Sequence, residues 1–298
     1  MRKIHFLFQL KNKIYNYMKH SFLAVLLFFS VTILSGQAPF PNKDEIKQFT
    51  ASKTCVVLEQ DQFSSYNVFI KEAVSKYWTL TPYQLITTQE FNKLRRDPAY
   101  SFIVLTQTNY EKDKANTLYN FLNLLQGKNV SKLGELPEIC AIPLSFAGED
   151  DYDYNYKFGA ILLFMQKHAE MIAADPSLTG RKYLKYYNVN IPKVQSKTIL
   201  IKEEDLAPEI SSLDKIKAVY GGEVKLVSEE EIVKAIQDKT PNTLILHKVG
   251  PREEKNAGLC FKMLIGTDDS DMYYYHMHKI SEKAPNGLLA DDLKRLMK

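Results

Sequence analysis

Apolar and polar positions run through this chain in two matching passes. Ser52-Lys53-Thr54-Cys55-Val56-Val57-Leu58 returns as Ser196-Lys197-Thr198-Ile199-Leu200-Ile201-Lys202, each a short apolar run behind the same polar entry. After each run, apolar residues fall at helical spacing: Phe69, Ile70, Ala73, Val74 and Tyr77, then Ile210, Leu213, Ile216 and Tyr220. Two capping boxes follow about 141 positions apart, Thr87-Thr88-Gln89-Glu90 and Ser228-Glu229-Glu230-Glu231. In such a box the hydroxyl accepts from an amide of the first turn and the Glu reaches back to the cap amide. Phe91 then matches Ile232, Leu94 matches Ala235 and Asp97 matches Asp238. Phe102-Ile103-Val104-Leu105 and Thr243-Leu244-Ile245-Leu246 read as strands buried on both faces.

Beyond these strands each copy predicts a hairpin and a closing helix. In the first, residues 118–125 and 139–144 flank the loop 127–138, and the helix covers 158–174. In the second, residues 259–265 and 272–278 flank the turn 266–271, and the helix covers 288–297. The predicted fold is α/β: two tandem duplicated domains of two or three layers, each β-α-β-α-β-β-β-α with a mixed sheet. The expected domains are residues 51–178 and 195–298, joined by a linker at 179–194 and preceded by a leader at 37–50. A duplicated unit often keeps one packing face, which predicts a pseudo-twofold arrangement of the copies.

Residues 22–34 form an apolar stretch broken only by Ser30 and Thr32, after Lys19 and before Gly36-Gln37-Ala38. That is the layout of a secretory signal over residues 1–36, and it is too short to span a bilayer. Met18-Lys19-His20 fits a natural start, which makes residues 1–17 an upstream extension. Arg2, Lys3, Lys11, Lys13 and Lys19 all lie within 1–36, and the first acid is Asp44. The formal +4 therefore belongs to the signal: its removal leaves 34 basic against 35 acidic residues. A near-neutral exported chain, periplasmic or at the cell surface, gives no reason to expect nucleic acid as a partner, which would call for a basic face. No membrane-spanning helix is expected in the mature chain.

Cys55, Cys140 and Cys260 fall in predicted strands, so buried free thiols are expected; a Cys55–Cys140 bridge would require those two on neighbouring strands. No Gly-x-Ser-x-Gly, Gly-x-Gly-x-x-Gly, phosphate-loop or His-Glu-x-x-His motif is present, and no cofactor is implied. Three local features carry candidate chemistry. Asp150, Asp151, Tyr152, Asp153 and Tyr154 interleave carboxylates with rings that suit a cation or a sugar. Lys112 and Lys114, with Lys248 and Arg252, follow the third strands, where α/β sheets gather ligands. His276 and His278 stand two apart on a strand, so both imidazoles point to one side as a metal site requires. Lone His168 is expected at the boundary of its helix's apolar stripe.

The capped helix and apolar strand at 87–105 with its hairpin, and again at 228–246, resemble envelope domains of a known type. These are the amino-terminal domain of the Tol-system propeller protein and the curli-secretion lipoprotein. The chain as a whole resembles exported bacterial proteins without an assigned activity. It has neither a propeller nor a lipid-attachment Cys. The resemblance implies a non-enzymatic binding or assembly module with a small ligand or an envelope protein as partner. The alternative is a hydrolase with an acidic site in the cleft between the repeats.

Overall fold

The strands of each half assemble into one five-stranded mixed sheet. The computed structural model describes residues 38–109, 117–149, 152–180, 184–251 and 257–298, with backbone alone at 152. The first half runs α1 (Lys43–Thr50), β1 (Lys53–Leu58), α2 (Ser65–Tyr77), β2 (Tyr83–Thr87), α3 (Thr88–Leu94), β3 (Tyr100–Asn109), β4 (Leu118–Gln126), β5 (Glu138–Phe146), α4 (Tyr152–Asn155) and α5 (Phe158–Ala174). The second runs β6 (Thr198–Ile201), α6 (Leu213–Lys217), β7 (Glu223–Leu226), α7 (Glu229–Gln237), β8 (Thr243–Val249), β9 (Leu259–Gly266), β10 (Met272–Lys279) and α8 (Ala290–Arg295). Strand orders are β2-β1-β3-β4-β5 and β7-β6-β8-β9-β10, the same path twice. In each, the first strand pairs in parallel with its two neighbours and the last three strands are antiparallel. Both predicted capping boxes close, Thr87 with Glu90 and Ser228 with Glu231.

Each sheet is covered on both faces, which makes three layers. In the first, α2 and α5 cover the face of Val56, Ile103, Leu122 and Ile142, while Phe91 of α3 covers that of Cys55, Val57, Phe102 and Val104. In the second, α7 lies on the face of Leu200, Ile245, Met263 and Ile265. There α6 and α8 cover Ile199, Ile201, Leu244 and Leu246. One apolar cluster contains the α2/α5 face of the first sheet and the α7 face of the second, so both repeats belong to one compact unit, Leu34–Lys298.

The faces that meet are unlike. The first repeat contributes the side of its first and last helices, and the second contributes the side of its middle helix. The repeats are therefore stacked head to tail, not as the pseudo-twofold pair expected from duplication.

The same comparison corrects the register of the repeat. Val56 lies on the α2 side of its sheet, and the residues on the corresponding α6 side are Ile199 and Ile201. The Ser-Lys-Thr match instead equates Val56 with Leu200, and a shift of one residue turns a side chain to the opposite face. That match is out of structural register. The 141-position spacing of the capping boxes, by contrast, carries Phe91 to Ile232 and Ile103 to Leu244, with faces preserved.

Two further expectations change, and the expected buried free thiols are found. The helix predicted through Ile210 and Tyr220 is broken: a 3-10 turn, Pro208–Ile210, precedes α6, and Ser212 caps α6 by accepting from the Lys215 amide. Adjacent Ser211 and Ser212 offer the backbone side-chain alternatives to helical bonds. All three cysteines are free and buried. Cys55 and Cys140 are not on neighbouring strands, since β3 and β4 separate β1 from β5, and their side chains fall in clusters on opposite faces. Much of the expected linker is a 3-10 segment, Lys185–Ser196, laid along the edge strand β10. Asn188 bonds both the amide and the carbonyl of Tyr275, and Asn190 donates to the Met272 carbonyl. These amides occupy backbone groups that an open edge would expose. Among the described residues no helix is long and apolar enough to cross a membrane.

Candidate functional site: a polar cleft between the repeats

Helix α5 starts behind an unfavourable residue. Its N-cap is Lys157, 3% exposed, and a cation there opposes the helix dipole. Its ammonium lies 3.8 Å from Asp205 Oδ2, and that of Lys248, from β8, lies 3.5 Å from Asp205 Oδ1. The 3-10 turn Glu203–Asp205 after β6 places Asp205, whose carbonyl accepts from the Leu288 amide at 2.8 Å. All three side chains are nine-tenths buried or more. Two cations against one anion leave a surplus positive charge. Burial, opposed by the Asp205 carboxylate, holds the Lys157 ammonium below the usual lysine range.

These three groups line a cleft of about 230 Å³. Glu149, Asp153 and Glu204 also line it, Glu204 exposed and the other two half-buried. Tyr156 lines it between two cations, the Lys157 and Lys202 ammoniums lying 4.9 and 5.4 Å from its ring centre. The Tyr156 hydroxyl and Asn286 Oδ1 are buried without a hydrogen-bond partner among the described residues. Lys202 itself is held by Glu204 and Glu229. Nearby His247, fully buried, donates from Nε2 to the Pro143 carbonyl at 2.9 Å and so ties β8 to β5. Desolvation, helped by Lys157, pushes its pKa down to about 3, so the ring is neutral.

Of the residues singled out in the sequence, Asp153, Tyr154 and Lys248 come together here. Tyr154 is 3% exposed with its ring edge-on to Phe158, a core position rather than an open platform for a sugar. Lys248 sits within β8, not in a loop beyond it. Tyr152 lies in α4, while Lys112, Lys114, Asp150, Asp151 and Arg252 lie outside the described residues. Lys157, Asp205 and Asn286 were not legible as site residues. The one available signal was a lysine immediately ahead of a strongly apolar helix, a place that favours acids.

The histidine pair has a different role. Lys262, fully buried on β9, donates to Asp292 Oδ2 at 2.6 Å and to His278 Nδ1 at 2.7 Å. His278 Nε2 donates to the Pro285 carbonyl, so both its nitrogens are engaged. His276 Nδ1 donates to Asp292 Oδ1, which also accepts from the Tyr274 hydroxyl, and Asp292 Oδ2 accepts the Leu289 amide. The Asp292 carboxyl is held far below the usual range: burial opposes this, but His276, Lys262 and Tyr274 outweigh it. The pair thus belongs to a buried network that fastens α8 to β9 and β10. No group of three His, Cys, Asp or Glu side chains suited to a metal occurs among the described residues.

His168 is inside the core, 6% exposed, rather than at its boundary; its Nδ1 pairs with the Tyr187 hydroxyl at 2.7 Å. Burial lowers its pKa to about 4. Compared with known protein families, curated proteins and solved structures, the chain matches none.

Proposed function

We propose that this chain is an exported, non-enzymatic binding module that takes a small polar ligand in the cleft between its repeats. The observation that carries this is the pair of buried ammonium groups, Lys157 and Lys248, brought to one carboxylate from separate segments. Burying a charge costs several kcal/mol unless partners offset it, and one carboxylate serves both cations here. An anionic ligand group would supply the missing partner. Export draws on the signal-like residues 1–36. A binding role, rather than catalysis, draws on the engaged state of the acids and bases: Asp205 faces two cations, and Asp292 holds three side chains.

The test is ligand-dependent stability of the full chain against a panel of small polar metabolites. A ligand at 100 times its Kd stabilises the fold by about 2.7 kcal/mol, a readily measured rise in midpoint. Lys248→Met should remove that rise. A panel without effect on the wild-type chain rejects the proposal. The hydrolase alternative uses the same cleft, whose lining includes four carboxylates. Turnover of any ester, amide or glycoside, lost in Asp205→Asn, would favour it instead.

A further inference from the structure

The two lysines at the cleft floor have a further property. At 3.8 and 3.5 Å from Asp205 they are ion-paired, yet both distances exceed the ~2.7–2.9 Å of a charge-assisted hydrogen bond. Neither ammonium makes a hydrogen bond among the described residues, although each carries three donors. Both nitrogens reach the cleft rather than being sealed in the core, so these N–H groups are open to a ligand there. The N-terminus of the 17-residue α5 adds its positive end at the same place.

The charge pattern narrows the ligand. The floor has one surplus positive charge, which matches a single carboxylate better than a doubly charged phosphate. Glu149 and Asp153 also line the cleft, and carboxylates there repel a polyanion and attract a cationic group. The volume, about 230 Å³, has room for several waters. It falls below the ~300–1,000 Å³ of pockets for drug-sized ligands. Positive floor, negative surround and small volume describe the complement of one chemical class.

We propose that the cleft takes a zwitterion of amino-acid size, its carboxylate between Lys157 and Lys248 and its ammonium toward Glu149 and Asp153. The inference rests on the cleft being the ligand site of a binding module. It adds the requirement that both charges of the ligand are read. Carboxylates accept several hydrogen bonds each, so Glu149 and Asp153 can keep their own contacts and still receive an ammonium.

The experiment is calorimetry and thermal shift on the full chain with the twenty standard amino acids, their N-acetyl and amide derivatives, and inorganic phosphate. At least one free amino acid should bind saturably, with its N-acetyl and amide forms each at least tenfold weaker. Lys157→Met and, as a variant milder to the fold, Asp153→Asn should each weaken it at least tenfold. Asp153→Asn should leave any residual binding of the N-acetyl form unchanged. Equal binding of free and N-acetyl forms, or binding of phosphate alone, overturns the zwitterion but leaves a cleft that binds anions. Binding of the amide alone overturns it as well. If no member of the panel binds, the zwitterion is rejected; the cleft itself fails only if the wider metabolite panel also has no effect.

Discussion

Lys262 of β9 and Asp292 of α8 meet at 2.6 Å with both side chains at 1% exposure or less. Removing one partner of such a pair strands the other charge out of water, at a typical cost of 3–5 kcal/mol. Lys262→Met and Asp292→Leu should each lower the urea midpoint by that order. Asp292→Leu should be the worse, because Tyr274, His276 and the Leu289 amide lose their acceptor too. The double variant should be more stable than Asp292→Leu alone. If the two losses simply add, the pair is not coupled and the network is misread.

Glu138 gives stability a pH dependence of unusual sign. It is 8% exposed, has no side-chain partner among the described residues, and burial pushes its pKa up to about 7. The unfolded carboxyl titrates near 4.5, so between 4.5 and 7 the folded chain holds a proton that the unfolded chain has released. Its contribution is complete below 4.5 and is lost as pH rises through 7, roughly 3 kcal/mol over the window. Glu138→Gln should match the wild type near pH 4 and exceed it in denaturant midpoint at pH 8. Parallel curves for the two proteins across this range would refute the assignment.

Two histidines act in the opposite direction. His168 and His247 are neutral in the fold, with pKa values lowered to about 4 and about 3 by burial. Both favour folding above 6.5, and that advantage is lost as pH falls toward the folded values. In proton NMR their ring resonances should not titrate between pH 7.5 and 5.5, with assignments taken from His168→Gln and His247→Gln. A midpoint near 6.5 for either ring would place it outside the core.

The two capping boxes should be worth similar amounts. Thr87→Ala and Ser228→Ala each remove a hydroxyl that accepts an N3 amide, from Glu90 and Glu231 respectively. Each should cost about 1 kcal/mol in chemical denaturation. Since they share no partner, the double variant should lose the sum to within ~0.5 kcal/mol. A cost near zero for one alone would show that its helix is held by packing.

The stacking of the repeats predicts that neither stands alone. A chain ending after α5 would uncover the outer side of α5 and β5, where α7, β8 and β9 now continue the same core. Residues 38–178 expressed by themselves should aggregate or bind hydrophobic dyes, whereas the full chain should unfold in one transition. A soluble fragment with dispersed NMR resonances would overturn this.

The order of elements was legible because it is written in local terms: periods of two and 3.6, cap residues, turns. The stacking was not. Val56 and Leu200 look equivalent in the repeat, and only their neighbours across the sheet reveal that α2 faces one inner side and α6 the other outer side. The cleft was partly legible. Asp153 and Lys248 stood out by composition, but Lys157 and Asp205 become a pair only because α5 and the turn after β6 come from different repeats. Charge convergence of that kind is a property of three dimensions. The His276/His278 alternation was real, and the strand does place both rings on one side; what it hid was Lys262 directly opposite His276 in the ladder.

Head-to-tail stacking gives the molecule two ends that are not alike. A twofold pair is closed once formed, whereas a translational stack contains no geometric instruction to stop at two. What ends this one is the outward chemistry of its terminal helices. Gln89, Glu90, Asn92 and Lys93 of α3 face solvent at one end, and Asp214, Lys215 and Lys217 of α6 with Asp291, Lys294 and Arg295 of α8 face it at the other. Those ten side chains serve as terminators. Replacing them with the apolar residues found on α7 would turn a two-unit protein into the seed of a fibre.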